Sequence, residues 1–164
     1  AAMKRRLEAA GIAVLDGPDA VDLGPLRAFA LTDLDNVAGT GQVSEPILDA
    51  VTRSDAAPPL AAFMHWGLEY ARVPDQRETY LADALRQAAV SLIVGTHPHV
   101  ADQGLAALAG GEALLAYSLG NFLFDQPGSR TSGAVLEVRF FPQGTFFARR
   151  IPIPNFYGRA LGLR

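Results

Sequence analysis

No cysteine occurs anywhere in the 164 residues. Disulfides and thiolate metal sites are therefore excluded, and any metal must be held by histidine, carboxylate, amide or backbone oxygen. Such donors suit Mn, Fe, Zn or Mg. Long apolar runs are missing too, since no stretch reaches the roughly 18 uninterrupted apolar residues of a membrane-spanning helix. An excess of positive charge is also absent: the formal net charge is −3, which offers no basic face to nucleic acid. The first residues carry no basic region followed by an apolar one, so no signal peptide is read. Ala1 to Ala10 reads instead as a helix already under way with no capping residue before it, and we expect a chain whose beginning is missing.

What is present fits one folded domain over residues 1–164. Apolar residues make up 49% and charged residues 19%, which leaves no case for disorder and is enough for a real core. Histidine is scarce, with three in all, and two of them share one short motif. That motif is Ser91-Leu-Ile-Val-Gly-Thr-His-Pro-His-Val100. Leu92, Ile93 and Val94 read as a short buried strand that stops at Gly95, and ligands in α/β proteins bind just past the carboxyl ends of strands. His97 and His99 are two residues apart and can reach one site. Pro98 stiffens the loop between them. Two imidazoles placed there are either metal ligands or a general acid/base pair, and a bare pair of this kind is as often two surface histidines in a turn.

The same layout occurs upstream. Leu60 to Met64 reads as a strand that runs directly into His65-Trp66-Gly67-Leu68-Glu69-Tyr70. Alone, His65 would be a histidine packed against Trp66. With a second strand-end pair downstream, His65, His97 and His99 can converge from separate loops, because parallel strands bring their carboxyl ends to one edge. Glu69 is open to three roles: ligand, general base, or a partner that orients an imidazole. A solvated surface glutamate is the plain alternative. Pro74 to Ala89 is the clearest helix, with Tyr80, Leu81, Ala84, Leu85 and Ala88 forming an apolar stripe. It joins the two histidine-bearing strands in a strand–helix–strand unit, which places both sites on adjacent or nearly adjacent strands.

The remaining elements follow a layered α/β pattern. Met3 to Ala10 is helical with Gly11 after it, Ile12 to Leu15 and Arg27 to Thr32 read as strands, and Ile47 to Arg53 is a short helix begun by Ser44-Glu45-Pro46. Thr32 to Gly41 is a polar loop whose Asp33, Asp35 and Asn36 more often serve turn chemistry than a site. Ala101 to Leu108 reads as a weak helix or turn, and Ala113 to Leu119 as a strand. Asn121 stands at the exit of that strand, suited to a substrate oxygen or to a left-handed turn. Gly133 to Phe141 and Thr145 to Ile151 read as a C-terminal β-hairpin around Pro142-Gln143-Gly144, followed by an extended or frayed tail. A two-metal hydrolytic centre would need carboxylates beside the histidines, and only Asp33, Asp35 and Asp125 are on offer after the other strands.

Three motifs in order carry a resemblance: Phe63-Met64-His65-Trp66-Gly67-Leu68-Glu69-Tyr70 with Pro74 and Gln76, then Ile93 to Val100, then Tyr117-Ser118-Leu119-Gly120-Asn121-Phe122 with Phe124-Asp125. Together they resemble the CapA-type capsule (poly-γ-glutamate) biosynthesis family, whose fold is similar to the calcineurin-like metallophosphoesterases. A weaker match over Leu7 to Asp33 extends the likeness along nearly the whole chain. The resemblance implies a layered metallophosphoesterase-like sandwich, of which this chain matches the C-terminal half. It implies metal-ligand roles for His65, His97 and His99, and a divalent metal cofactor (Mn, Fe or Zn) in a centre that can be binuclear. His97, Glu69 and Asn121 are then the candidate catalytic residues. The family's early Gly-Asp, Asn-Leu-Glu and Asn-Asn-His elements do not occur in this sequence. The implied activity is metal-assisted hydrolysis of a phosphoester or amide, on a small-molecule or polyglutamate-type substrate in the cell envelope with envelope assembly partners. The alternative is a non-catalytic envelope scaffold that keeps the fold.

Overall fold

The computed structural model describes residues 2–35, 39–43, 45–52, 59–101, 104–108, 111, 113–122, 133–141 and 146–153. Among the described residues three helices and ten strands run in the order α1 (Ala2–Ala9), β1 (Val21–Asp22), β2 (Arg27–Thr32), β3 (Leu34–Asp35), β4 (Gly39–Thr40), α2 (Glu45–Thr52), β5 (Leu60–His65), α3 (Gln76–Gln87), β6 (Leu92–Thr96), β7 (Leu105–Leu108), β8 (Ala113–Ala116), β9 (Gly133–Phe140) and β10 (Phe146–Ile153). A six-stranded sheet has the order β1-β2-β5-β6-β8-β7. Its four central strands are parallel and its two edges antiparallel. β9 and β10 form the expected antiparallel hairpin. The architecture is the layered α/β arrangement, with a C-terminal hairpin, that the sequence predicts. None of the helices among the described residues is long and apolar enough to cross a membrane.

The central strands are short apolar runs because both faces of the sheet are covered. On one face Phe29, Leu31, Ala62, Met64, Trp66, Ile93 and Leu115 pack with Leu48 and Val51 of α2 and with Leu81 and Leu85 of α3. On the other, Ala28, Ala61, Leu92, Val94 and Leu114 meet Leu136, Val138, Phe140 and Phe146 of the hairpin. Strand alternation then fixes where His65 goes. Met64 and Trp66 belong to the helix side, so His65 between them emerges on the hairpin side, at the carboxyl edge.

Three local devices hold that edge. The buried Trp66 indole N–H donates to the Tyr117 carbonyl at 3.0 Å, spanning from the end of β5 to the end of β8. It passes Gly95 on β6, where a Cβ would lie 1.9 Å from the Tyr117 oxygen and 2.2 Å from the Trp66 indole nitrogen. Asp33, directly after β2, donates its backbone N–H to the His65 carbonyl at 2.8 Å. Its buried carboxylate accepts two bonds from Arg77 of α3, at 3.0 and 2.8 Å, and one from the Val43 N–H at 2.8 Å. Finally, Asp75 caps α3 in a capping box with Glu78. Glu78 is buried, with Oε2 on the Asp75 N–H and Oε1 without a partner among the described residues. Its carboxyl group lies where a Cβ on Gly67 would stand, at 2.6 Å.

Several expectations are corrected here. Ile12 to Leu15 is not a strand; the edge beside β2 is taken by β1, and Leu15 packs sideways onto the hairpin-side cluster. Leu105 to Leu108, within the expected weak helix, is strand β7, because β8 leaves an edge that pairs with it antiparallel. The loop after Thr32 contains the short β3–β4 ladder. Tyr80 faces outward from α3 and donates its hydroxyl to Glu45, while Glu78 takes the buried position instead. Asn36, Ser44, Asp125, the turn at 142–144 and the tail beyond 153 lie outside the described residues.

Each device gives an expected outcome. Arg77→Met leaves the Asp33 carboxylate buried and unpaired, so equilibrium unfolding in urea should show a loss of about 3 kcal/mol, the lower end for a buried pair whose cation is partly exposed. Gly95→Ala should lose about 3 kcal/mol or fail to fold, because backbone and not a flexible side chain fills the space; a loss under about 0.5 kcal/mol would mean the edge is looser than described. Burial holds the Glu78 carboxyl above the ordinary glutamate range. The unfolded chain therefore ionises first as pH rises, and stability present at low pH is lost as pH climbs through the folded-state value. Glu78→Gln should flatten that part of the stability–pH curve, and an unchanged curve would assign the slope to other groups.

Candidate functional site

The parallel register sets Thr32, His65 and Thr96 side by side at the carboxyl edge of β2, β5 and β6. His97 and His99 follow from the loop after β6, and Asn121 from the segment after β8. All three imidazoles meet there as the sequence predicts. The His65 and His97 rings lie 4.8 Å apart between centroids, edge to face, and His97 and His99 lie 6.3 Å apart. The rings come from the last residue of β5 and from the loop after β6, so the cluster is a product of the β5–α3–β6 unit and not of local sequence.

The hydrogen bonds around the rings decide which nitrogen is available. Thr96 Oγ1 donates to the Met64 carbonyl at 3.0 Å, so toward His65 Nδ1, 3.3 Å away, that hydroxyl accepts. His65 therefore carries its proton on Nδ1 and keeps its lone pair on Nε2. His99 Nδ1 lies 2.7 Å from Asn121 Oδ1, a carbonyl oxygen that only accepts, so His99 has the same tautomer. A ligating histidine is oriented in this way, by an acceptor on its other nitrogen. Asn121 is buried, and its own place is fixed by Gly133 of β9, where a Cβ would sit 2.0 Å from the Asn121 carbonyl.

The electrostatics favour neutral rings. Burial, followed by the neighbouring His99, holds His65 below the ordinary histidine value. His97 is lowered by burial and by His65 and His99, with Glu69 acting in the opposite sense. Glu69 is itself exposed, on the loop after β5. The backbone at the site is strained as well: His97 and His99 have φ of 99° and 59°, and Tyr70 has 65°. Each such conformation costs on the order of 1–3 kcal/mol and persists only where its surroundings hold it.

The donor chemistry can be set against a divalent metal. Two of the three rings are oriented by an acceptor at Nδ1, and imidazole donors suit a borderline cation such as Zn or Fe. Among the described residues, however, no group of three His, Cys, Asp or Glu is placed to hold a metal ion. The histidines fit as part of a donor set and do not close a coordination sphere among themselves. Asp33 does not join them. Its carboxylate is engaged by Arg77 and Val43, which makes it a structural residue of the edge. Asp35 contributes backbone to β3, and Asp125 lies outside the described residues.

Sequence reasoning missed Thr96, Gly95 and Tyr70 as members of this arrangement. A glycine inside an apolar strand signals close backbone approach, and that signal was present at Gly95. For Thr96 and Tyr70 the only cue was adjacency to the histidine motifs.

A family model described as bacterial capsule synthesis protein PGA_cap matches residues 12–126, the stretch that holds β2, β5, β6, β8 and all three histidines. The capsule biosynthesis protein CapA of Bacillus anthracis is 39% identical over 90 residues, covering 54% of this chain and 21% of that protein. The PGA biosynthesis protein CapA of Bacillus subtilis (strain 168) is 43% identical over 82 residues, covering 49% of this chain and 21% of that protein. The matched part of the chain thus spans about a fifth of the length of these curated relatives. With its motifs in order and most of its length within the matched stretch, the chain belongs to the bacterial capsule synthesis protein (PGA_cap) family.

Proposed function

We propose that this chain is part of a CapA-type protein of poly-γ-glutamate capsule biosynthesis whose strand-end histidines serve a metal-dependent, metallophosphoesterase-like hydrolase site. The observation that carries the reading is the meeting of three imidazoles from the end of one parallel strand and the loop after its neighbour, two of them engaged at Nδ1. His65, His97 and His99 would hold the ion, Mn, Fe or Zn, with further donors completing a mononuclear or binuclear centre. When bound, such an ion supplies Lewis acidity toward water and toward the phosphoryl or carbonyl oxygen of the substrate.

The chain's own residues then have distinct tasks. Thr96 and Asn121 keep His65 and His99 in the tautomer a ligand needs. Among the described residues His97 has no such Nδ1 partner; burial, His65 and His99 lower its proton affinity, and the charge of Glu69 acts in the opposite sense. In this reading His97 is either the third ligand or, where another donor takes that place, the proton donor to the leaving group, with Glu69 its electrostatic counterpart. The substrate is a small-molecule or polyglutamate-type phosphoester or amide, and the setting is the cell envelope with assembly partners there.

A second reading has a specific observation behind it. Because no three donors are placed around one point among the described residues, a non-catalytic envelope scaffold that keeps the fold is the alternative. Metal content separates the two. After dialysis against Mn²⁺ or Zn²⁺ at micromolar concentration and removal of free ion, the protein should retain close to one equivalent or more. His97→Ala should lose it with its circular dichroism unchanged. If the wild-type protein retains none, the hydrolase reading fails and the scaffold takes its place.

A further inference from the structure

Among the described residues four non-glycine positions have positive φ, and three of them meet at the histidine cluster: Tyr70, His97 and His99. The fourth, Ala89, follows the last turn of α3, where a left-handed residue is a common way to end a helix. Tyr70 is the third residue of a turn closed by the Ala71 N–H on the Leu68 carbonyl, a position that favours glycine or asparagine. A bulky side chain in this region is a true outlier, kept only where neighbours over-determine it.

The neighbours are identifiable. The Tyr70 backbone N–H donates to the Pro98 carbonyl at 2.8 Å, which ties the loop after β5 to the residue between the two histidines. Pro98 is itself fully buried, so the anchor is rigid. The Tyr70 ring lies over the His99 ring, with centroids 6.0 Å apart and planes 29° from parallel. A left-handed φ at Tyr70 is what lets one residue place its N–H on Pro98 and its ring on His99. His99 is then held on its face by Tyr70 and at Nδ1 by Asn121.

We propose that Tyr70 is a positioning residue for His99: the loop straps across Pro98 and the phenol ring clamps the imidazole, so that His99 keeps one tautomer and one ring orientation. That this orientation serves metal binding rests on the reading above; the clamp itself does not.

The test compares Tyr70→Ala, Tyr70→Phe and Tyr70→Gly with wild type. In metal-free protein, side-chain ¹⁵N shifts should show His99 as a single Nδ1–H form in wild type and in Tyr70→Phe. In Tyr70→Ala they should show exchange between the two tautomers. Tyr70→Gly relieves the backbone strain yet lacks the ring, so it should follow Tyr70→Ala in His99 while folding at least as stably. Zn²⁺ affinity should fall about tenfold in Tyr70→Ala and Tyr70→Gly, as it does when an outer partner of a ligand is lost, and stay near wild type in Tyr70→Phe. Wild-type His99 shifts in both ringless variants would overturn the proposal. If Zn²⁺ fails to bind wild type, the metal reading falls and the tautomer comparison still decides the role of Tyr70.

Discussion

The hydrogen bond from the Trp66 indole to the Tyr117 carbonyl is the constraint on which the rest of this arrangement depends. It spans β5, β6 and β8 at the point where all three strands end, and it exists because Gly95 leaves the space between them empty. Every group of the candidate site leaves the sheet within a few residues of this lock. His65 immediately precedes Trp66, His97 comes two residues after Gly95, and Asn121 four after Tyr117. Strand alternation makes the dependence strict. A slip of one residue in β5 would turn Trp66 toward the hairpin and His65 into the helix-side core.

Charge is distributed around this lock in a way that separates structure from chemistry. The one buried carboxylate that the strand ends offered as a ligand, Asp33, is fixed by Arg77 and Val43 and holds the His65 carbonyl through its own N–H. A carboxylate that accepts three hydrogen bonds has few lone pairs left for a cation. Glu78 lies behind Gly67 in the capping box of α3, also within the structure and away from the rings. At the rings themselves stand a threonine hydroxyl and an asparagine amide, burial and neighbouring imidazoles hold His65 and His97 below the ordinary histidine value, and the carboxylate that acts on His97, Glu69, is exposed.

The strands and the meeting of the histidines were legible because both rest on local pattern plus one general rule. Leu60 to Met64 and Leu92 to Val94 are uninterrupted apolar runs ending in histidine motifs, and a helix of the length of α3 between them makes the strands parallel. Leu105 to Leu108 was not legible, since Leu-Ala-Ala-Leu has helical propensity and its strand state comes from pairing with β8. Tyr80 is not in its expected place on the buried stripe of α3, and Glu78 is buried instead, for a similar reason. Glu78 is drawn inward by the cap it makes with Asp75 and by the space Gly67 leaves, neither of which a periodicity count sees. Asp33 was ambiguous because an aspartate after a strand looks the same whether it binds a cation or an arginine 44 residues away.

The site shows how a donor set can be ordered without charge at its centre. Neutral partners at Nδ1 fix the tautomers of His65 and His99, and each partner is held by backbone: Thr96 by the Met64 carbonyl, Asn121 by the close approach of Gly133. The positive φ angles of His97, His99 and Tyr70 then act as stored strain that the buried Pro98 and the packed strand ends keep from relaxing. Such a loop loses little conformational freedom when a ligand arrives, because the ordering was completed on folding. The histidine pair and the loop that carries Tyr70 thus form one preorganised unit. Its rigidity derives from the Trp66–Gly95–Tyr117 lock beneath it, and binding would draw on order that the sheet has already imposed.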